Sequence, residues 1–151
     1  MQTIFLDLET TGLNPFTDRI LCVGMKINEK PTEIQPNVHS CSILFDSCGA
    51  FALGGHNISF DLKFLSRHLR CYPSYYIDTK IIYYYKNPHE SHRLKDLAEK
   101  YLGVTNVIRR TDLLGQRNKK IKMEEIDENL LHKYCIQDVD LSYNLWKKSL
   151  E

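Results

Sequence analysis

Two carboxylates lie two residues apart near the beginning of the chain. Asp7 and Glu9 fall within the apolar run Ile-Phe-Leu-Asp-Leu-Glu at residues 4–9. Because alternate residues of a β-strand point to the same face, a strand here places the two carboxylates side by side. Two like charges in a buried strand repel each other and lose their hydration. A divalent cation at the end of the strand is the simplest compensation, so the motif predicts a metal site.

A further carboxylate lies on the apolar side of a long predicted helix near the end of the sequence. Asp138 is flanked along this helix by residues at helical spacing: Leu131, Cys135, Ser142 and Leu145. Tyr134 precedes Asp138 by four residues and is therefore one turn away on the same side. Two interpretations stay open here, since Asp138 either reaches the metal site or pairs with a buried Arg or Lys.

Asp61 follows an apolar segment, residues 51–55, that ends in two glycines. It falls in the first turn of the next predicted helix, where a carboxylate also suits the helix dipole. His56 and Asn57 precede it, and each fits an ordinary polar role at a strand end or in a turn. Because ligands of open α/β sheets bind at strand ends, Asp61 is expected to join the first two carboxylates.

Four carboxylates without a Cys or His ligand suit Mg²⁺ or Mn²⁺ better than zinc. Two such ions, roughly 4 Å apart, would activate a water and stabilise the leaving oxygen of a phosphodiester. The five cysteines lack zinc or disulfide spacing, which indicates reduced thiols in a reducing compartment.

The elements that must position these residues follow from periodicity and turn residues. Strands are predicted at 3–8, 20–27, 32–34, 51–55 and 75–77. Helices are predicted at 38–48, 60–69, 79–86, 93–102, and from 124 or 127 to near the end. Residues 104–122 are expected to be irregular. This order predicts a single α/β domain over residues 1–151, with a mixed five-stranded sheet covered by helices on both faces.

The composition is that of a globular domain, with 42% hydrophobic and 26% charged residues. A formal net charge of +1 neither implies nor excludes a nucleic-acid partner. No apolar run has the length of a membrane span, and the N-terminus lacks a secretory signal pattern. We therefore expect a cytoplasmic protein with no membrane partner.

Two further features admit both a structural and a functional interpretation. The segment 109–122 is either a solvated loop or an arm that contacts phosphates, and its basic residues are Arg109, Arg110, Arg117, Lys119, Lys120 and Lys122. Five tyrosines could stack on bases, although packing in the core or a groove is expected for most of them: Tyr75, Tyr76, Tyr83, Tyr84 and Tyr85.

Three segments together resemble the 3′–5′ exonucleases of the DEDD superfamily, in the subgroup whose third motif carries a tyrosine. They are Asp-Leu-Glu-Thr-Thr-Gly-Leu at 7–13, His-Asn followed by Phe-Asp within 56–61, and Tyr-Cys-Ile-Gln-Asp at 134–138. A fourth segment, residues 92–103, is similar to the proofreading domain of family A DNA polymerases and to ribonuclease D relatives. The motifs occur in the family's order and extend over nearly the whole chain.

The resemblance implies an RNase H-like fold and an enzyme that releases nucleoside monophosphates from the 3′ end of single-stranded DNA, using two Mg²⁺ or Mn²⁺ ions. Asp7, Glu9 and Asp138 would hold the ion that binds the attacking water. Asp61 would support a second ion shared with Asp7, and Tyr134 would orient the water. Three residues are implied to contact the substrate: Thr10, Leu13 and Asn57.

The resemblance also implies DNA as a partner, beside a separate DNA polymerase or replication protein, in proofreading during DNA replication. The chain would be either a free-standing exonuclease or an excised domain. A free-standing form would suit a mobile-element replication system, or a viral one acting in the host cytoplasm. One alternative keeps the chemistry but trims RNA 3′ ends, as in the ribonuclease D group. Another is a non-catalytic module that binds nucleic acid or a replication protein, which the retention of all four carboxylates and the tyrosine disfavours.

Overall fold

A mixed five-stranded sheet forms the centre of the molecule in a computed structural model, which describes residues 1–115 and 121–151. The sheet has the spatial order β3-β2-β1-β4-β5. Strand β1 pairs antiparallel with β2 and parallel with β4, so the central strand carries the first motif. The strands are β1 (Gln2–Thr10), β2 (Ile20–Ile27), β3 (Glu33–Gln35), β4 (Phe51–Gly55) and β5 (Tyr75–Asp78).

Helices cover both faces of the sheet, as the order of elements predicted. The first two helices pack on the face formed by Ile4, Leu6 and Leu8, and the last helix packs on the face of Phe5. No helix in the two described ranges is both long enough and apolar enough to cross a membrane. The helices are α1 (Val38–Ser47), α2 (Ile58–Leu65), α3 (Thr79–Lys86), α4 (Leu94–Leu102), α5 (Arg110–Leu114) and α6 (Glu128–Ser149), with a 3₁₀ turn at Met123–Glu125.

Helix α2 is shifted towards the N-terminus relative to the predicted helix at 60–69. It begins at Ile58 because the carboxylate of Asp78 accepts hydrogen bonds from the backbone N–H groups of Asn57 and Ile58, at 2.9 and 3.1 Å. This carboxylate satisfies donors that the first turn of a helix leaves free. Asp78 lies 20 positions after Ile58 in the sequence, so the local sequence pattern could not predict this hydrogen bond.

The prediction that residues 104–122 are irregular was wrong in part. Helix α5 forms because Asp112 accepts a hydrogen bond from the backbone N–H of Arg109 at 2.7 Å, and because Leu113 is buried beside Met123. Three of the basic residues expected in this segment lie outside the described residues: Arg117, Lys119 and Lys120.

Most of the five tyrosines are exposed, contrary to the prediction that most of them pack in the core or in a groove. Only Tyr83 among the five is buried, and its hydroxyl donates to the backbone oxygen of Leu145 at 3.1 Å. The reason is that β5 is an edge strand and α3 buries a single side. The other four are more than half exposed: Tyr75, Tyr76, Tyr84 and Tyr85.

Helix α6 approaches the sheet closely where it crosses Gly24. This glycine pairs with Asp7 in the β1–β2 register, and a Cβ added to it would lie 2.9 Å from the sulfur of Cys135. A side chain here would push the helix outward, since contacts this short are not tolerated in a packed interior. The glycine therefore allows α6 to bring Asp138 close to β1.

Candidate active site

Three of the four predicted metal ligands meet on the α6 side of the sheet. One carboxylate oxygen each from Asp7, Glu9 and Asp138 lies within 4.8 Å of the others. Strand alternation places the first two on the same face, and the apolar stripe of α6 turns the third towards them. Glu9 and Asp138 are buried. The three carboxylates form a compact acidic group that we call the carboxylate cluster.

Asp61 lies beside this cluster without being a member of it among the described residues. Its side chain is buried, and its Oδ1 accepts a hydrogen bond from the backbone N–H of Leu8 at 3.0 Å. The first turn of α2 thereby attaches to β1 next to Asp7. The negative charge of Asp7 contributes to the raised pKa of Asp61, which also reflects this proximity.

Burial dominates the electrostatics of these acids. It raises the pKa of Asp7 to about 6, although the positive charge of Lys95 acts in the opposite direction. Burial, followed by the charge of Asp7, raises the pKa of Glu9 well above its ordinary value. Burial likewise raises the pKa of Asp61. The desolvated carboxylates therefore require a cation in order to be ionised together at neutral pH.

The donor set fits a hard divalent cation. Asp7 Oδ2 is buried and has no hydrogen-bond partner among the described residues. A buried carboxylate oxygen without a partner is costly, and coordination to a metal removes that cost. Carboxylate oxygens are the ligands that Mg²⁺ and Mn²⁺ prefer.

Lys95 is a buried cation in the site. The motifs in the sequence had not indicated a role for it. Its ammonium forms an ion pair with Asp138, and its Nζ lies 4.4 Å from the centre of the Tyr134 ring. Burial lowers the pKa of Lys95 to about 8. Asp138 therefore pairs with a buried lysine, as one interpretation predicted, and it also belongs to the carboxylate cluster.

The signal for Lys95 was present in the periodicity of α4. Lys95 shares the helical stripe of Ala98 and Leu102, which are apolar and face inward. A lysine on a buried stripe needs an anionic partner, since an isolated buried ammonium is costly. The pattern could thus indicate a buried charge, while the identity of its partner required the tertiary structure.

Tyr134 lies one turn before Asp138 and is largely buried. Burial, and then the negative charges of Glu9 and Asp7, raise the pKa of its phenol above the ordinary value near 10. The hydroxyl is therefore protonated at neutral pH. It can donate a hydrogen bond but cannot serve as a base.

The three residues implied to contact substrate lie in different environments. Thr10 is buried and its Oγ1 donates to the backbone oxygen of Gly12 at 2.6 Å. Leu13 is 74% exposed. Asn57 has a positive φ of 62° at the start of α2, and its Oδ1 accepts from Lys80 at 3.3 Å. Leu13 is thus the one of the three whose side chain is fully open to a ligand.

A cavity of about 290 Å³ opens beside Asp138 and Tyr134. Arg109, on its wall, is bound to the carboxylates of Asp96 and Glu99. Four basic side chains line the cavity: Arg93, Lys95, Arg109 and Arg110. Because Lys95 and Arg109 are bound to carboxylates, the exposed Arg93 and Arg110 are the groups of this wall that suit the phosphates of a polyanion.

His56 is held neutral beside α3. Its Nε2 donates to the backbone oxygen of His92 at 2.9 Å, and its Nδ1 lies 2.9 Å from the hydroxyl of Thr79. Burial lowers the pKa of His56 from 6.5 to about 4. The unfolded chain therefore binds a proton at a higher pH than the folded chain does, and His56 contributes stability above pH 6.5 that is lost as the pH falls towards 4.

We expect this histidine to contribute up to about 3 kcal/mol to the pH dependence of the free energy of unfolding. The raised pKa values of the acids act in the opposite direction, so the wild type must be compared with His56→Gln in chelator. Urea unfolding should show the wild type losing its advantage over the variant between pH 6.5 and 4. A difference independent of pH would mean that His56 is not held neutral.

The chain has recognisable relatives at the level of family and fold. A family model described as 3′-5′ exonuclease matches residues 1–150. The chain has no match among curated proteins. A structure of NrnC from Brucella melitensis is 20% identical, with a TM-score of 0.73, and the match covers 98% of this chain and 71% of that one.

Two further similar structures are longer proteins. RNase D from Escherichia coli is 16% identical with a TM-score of 0.66, and the match covers 98% of this chain and 40% of that one. The family B DNA polymerase from Pyrobaculum calidifontis is 16% identical with a TM-score of 0.65, and the match covers 99% of this chain and 24% of that one. At these identities, the three matches show a shared fold.

Proposed function

The chain belongs to the 3′-5′ exonuclease family of the DEDD superfamily, and from this we propose that it removes nucleoside monophosphates, one at a time, from the 3′ end of single-stranded DNA. The family makes it a phosphodiester hydrolase that acts on nucleic acid with divalent metal. The polymer, the number of ions and the residue roles are our proposal.

The carboxylate cluster is the observation that carries this proposal. Asp7, Glu9 and Asp138 are brought within 4.8 Å by two elements far apart in sequence, and one buried oxygen of Asp7 has no partner among the described residues. A solely structural arrangement would pair each acid with a donor. An acidic cluster with an unpartnered oxygen is instead suited to a cation.

Two Mg²⁺ or Mn²⁺ ions, held by Asp7, Glu9, Asp138 and Asp61, would supply an activated water and stabilise the leaving oxygen. A similar NrnC structure contains bound Mg²⁺, which supports this choice of metal. Asp61 would take part from beside the cluster, where its carboxylate accepts a hydrogen bond from the backbone N–H of Leu8.

Tyr134 orients the attacking water by donating a hydrogen bond from its hydroxyl, because the raised pKa of the phenol keeps that hydroxyl protonated. This role is the one expected of the subgroup whose third motif carries a tyrosine, to which we propose that the chain belongs. Arg93 and Arg110, at the exposed edge of the cavity beside Asp138 and Tyr134, hold the phosphates of the substrate.

The terminal nucleotide is held by the residues at the end of β1 and the beginning of α2. Leu13 packs against the last base with its exposed side chain. Thr10 acts through its backbone, because its hydroxyl is already bonded to Gly12. Asn57 hydrogen-bonds the strand nearby, through an amide that Lys80 positions.

An RNA substrate is the second candidate, and the similar structures favour it. One structure of NrnC is bound to pGG, and RNase D is described as an exoribonuclease involved in structured RNA processing. RNA differs from DNA at the 2′-hydroxyl, which hydrogen-bonds as both donor and acceptor. Only the DNA proposal includes a proofreading role, in which the protein would act beside a separate polymerase in the cytoplasm.

Degradation of matched DNA and RNA oligonucleotides tests the proposal. Each is labelled at the 5′ end and incubated with Mg²⁺, with Mn²⁺ or with chelator. We expect a ladder that shortens from the 3′ end of DNA, that is weaker on RNA and absent with chelator. A stronger ladder on RNA would establish the second candidate. No ladder on either polymer would contradict the enzymatic proposal and favour a binding module.

A further inference from the structure

The loop between β1 and β2, residues 11–19, follows directly on the end of the strand that carries Glu9, and it exposes two apolar side chains. Leu13 already has a proposed contact with the last base, but Phe16 has none. Phe16 is 79% exposed. An exposed aromatic ring beside a nucleic-acid site needs an explanation, because solvent exposure of a phenylalanine brings no gain in stability.

Internal hydrogen bonds hold this loop in one conformation. The carboxylate of Asp18 accepts from the hydroxyl of Thr11 at 3.2 Å and from the backbone N–H of Asn14 at 2.9 Å. The side-chain oxygen of Asn14 accepts in turn from the backbone N–H of Phe16 at 2.9 Å. A Cβ on Gly12 would collide with the Asp18 carboxylate. The ring of Phe16 is therefore positioned before any ligand arrives, which lowers the entropic cost of binding.

Arg67 connects the loop to the end of α2. Its guanidinium carbon lies 5.3 Å from the centre of the Phe16 ring, and its Nη1 donates to the backbone oxygen of Pro15. A guanidinium over an aromatic face is attractive and orients the ring. Because the ring keeps most of its surface in solvent, it can still stack with a base while Arg67 provides positive charge for a phosphate.

A cavity of about 400 Å³ adjoins this pair. Its lining includes Arg67, His68 and Arg19, of which Arg19 also forms an ion pair with Glu124 at 3.6 Å, and its carboxylate, Asp18, already accepts two bonds from the loop. The volume falls within the range of small-ligand sites, so a nucleoside fits it. The guanidinium of Arg67, together with the aromatic ring of Phe16 beside it, suits a nucleotide of a single strand.

The position of the cavity relates it to the proposed active site. Ile20 in its lining pairs with Thr10, the residue after Glu9. Arg67 lies in the turn that follows α2, six residues after Asp61, so its backbone is displaced from that of Asp61 by roughly 9 Å along the helix axis. That distance is about two to three base spacings at roughly 3.4 Å per base along a strand.

We propose that Phe16 and Arg67 form a subsite for the third nucleotide from the 3′ end of a single-stranded substrate. Its base stacks on Phe16, and its phosphate is held by Arg67. This inference rests on the proposed function, because it assigns part of the same substrate-binding surface. The subsite acts on substrate length and affinity, and takes no part in bond cleavage.

Substrate-length dependence tests the subsite. The kcat/KM values of wild type, Phe16→Ala and Phe16→Trp are measured on dinucleotides and trinucleotides of the favoured polymer. We expect Phe16→Ala to lower the ratio of the trinucleotide to the dinucleotide value about tenfold, through KM, because one stacked base is lost. Phe16→Trp should restore the ratio, since tryptophan also stacks.

Tyr72→Ala is the matched control, because it removes another exposed aromatic ring outside the loop, and it should leave the ratio as in wild type. Arg67→Ala should also lower the ratio and reduce the salt dependence of trinucleotide binding. A ratio unchanged in Phe16→Ala, or equal losses on both lengths, would overturn the subsite.

Failure of the proposed function would give a different result, namely no cleavage of any oligonucleotide by the wild type. The subsite is then decided by binding of a fluorescein-labelled hexanucleotide in chelator, measured by anisotropy. About tenfold weaker binding by Phe16→Ala would support a nucleic-acid subsite on a binding module. Equal binding by wild type and variant would overturn it.

Discussion

Asp138→Asn should lower the rate of 3′-end hydrolysis about 1,000-fold or more. Metal ions contribute several kcal/mol of transition-state stabilisation, and each 1.36 kcal/mol corresponds to about tenfold in rate. The substitution keeps the shape of the side chain but removes one of three charges that meet within 4.8 Å. Single-turnover degradation of a 5′-labelled oligonucleotide, at saturating Mg²⁺ and again at saturating Mn²⁺, measures the loss.

Glu128→Gln is the matched control for this substitution. It makes the same change of carboxylate to amide on the same helix, where the Glu128 side chain is 84% exposed. The control should retain wild-type activity, and both variants should remain folded by circular dichroism. Activity of Asp138→Asn within tenfold of wild type would contradict a role of Asp138 as metal ligand.

Lys95→Met should lower the free energy of unfolding of the metal-free protein by about 3 kcal/mol, because removal of one partner leaves the other buried charge uncompensated. Lys95 and Asp138 are the two members of that pair, with side chains 9% and 10% exposed. The same substitution should tighten binding of Mn²⁺, since the carboxylate cluster loses its internal cation. Urea unfolding in chelator and isothermal titration calorimetry measure the two effects.

Lys100→Met is the control on the same helix, because the lysine side chain is 54% exposed and its partner Glu90, itself 10% exposed, keeps the hydrogen bond that it accepts from the Tyr101 hydroxyl at 2.8 Å. An ion pair in which one partner is well solvated contributes about 1 kcal/mol. We expect a small loss of stability in this control and no change in Mn²⁺ affinity. Equal metal affinity in Lys95→Met and wild type would mean that Lys95 does not compete with the metal for the cluster.

Local pattern predicted most of the elements and the three acids that form the carboxylate cluster. Alternation in β1 predicted that Asp7 and Glu9 share a face, and the stripe on α6 predicted that Asp138 points to the sheet; the packing of Phe5 and Val139 confirms both orientations. These predictions succeeded because strand and helix periods are properties of consecutive residues. The mixed five-stranded sheet followed from the order of the elements.

Contacts between distant residues were decided by the tertiary structure alone. Lys95 reaches Asp138 across 43 positions, counted from their residue numbers, and Asp61 reaches the backbone of Leu8 across 53. The proposed subsite on Phe16 likewise depends on Arg67, which lies beyond α2. Periodicity shows which face a side chain occupies, but a partner on another element depends on how the elements pack. The sequence by itself therefore determined which acids face the sheet, whereas the fold decided which cation and which loop lie beside them.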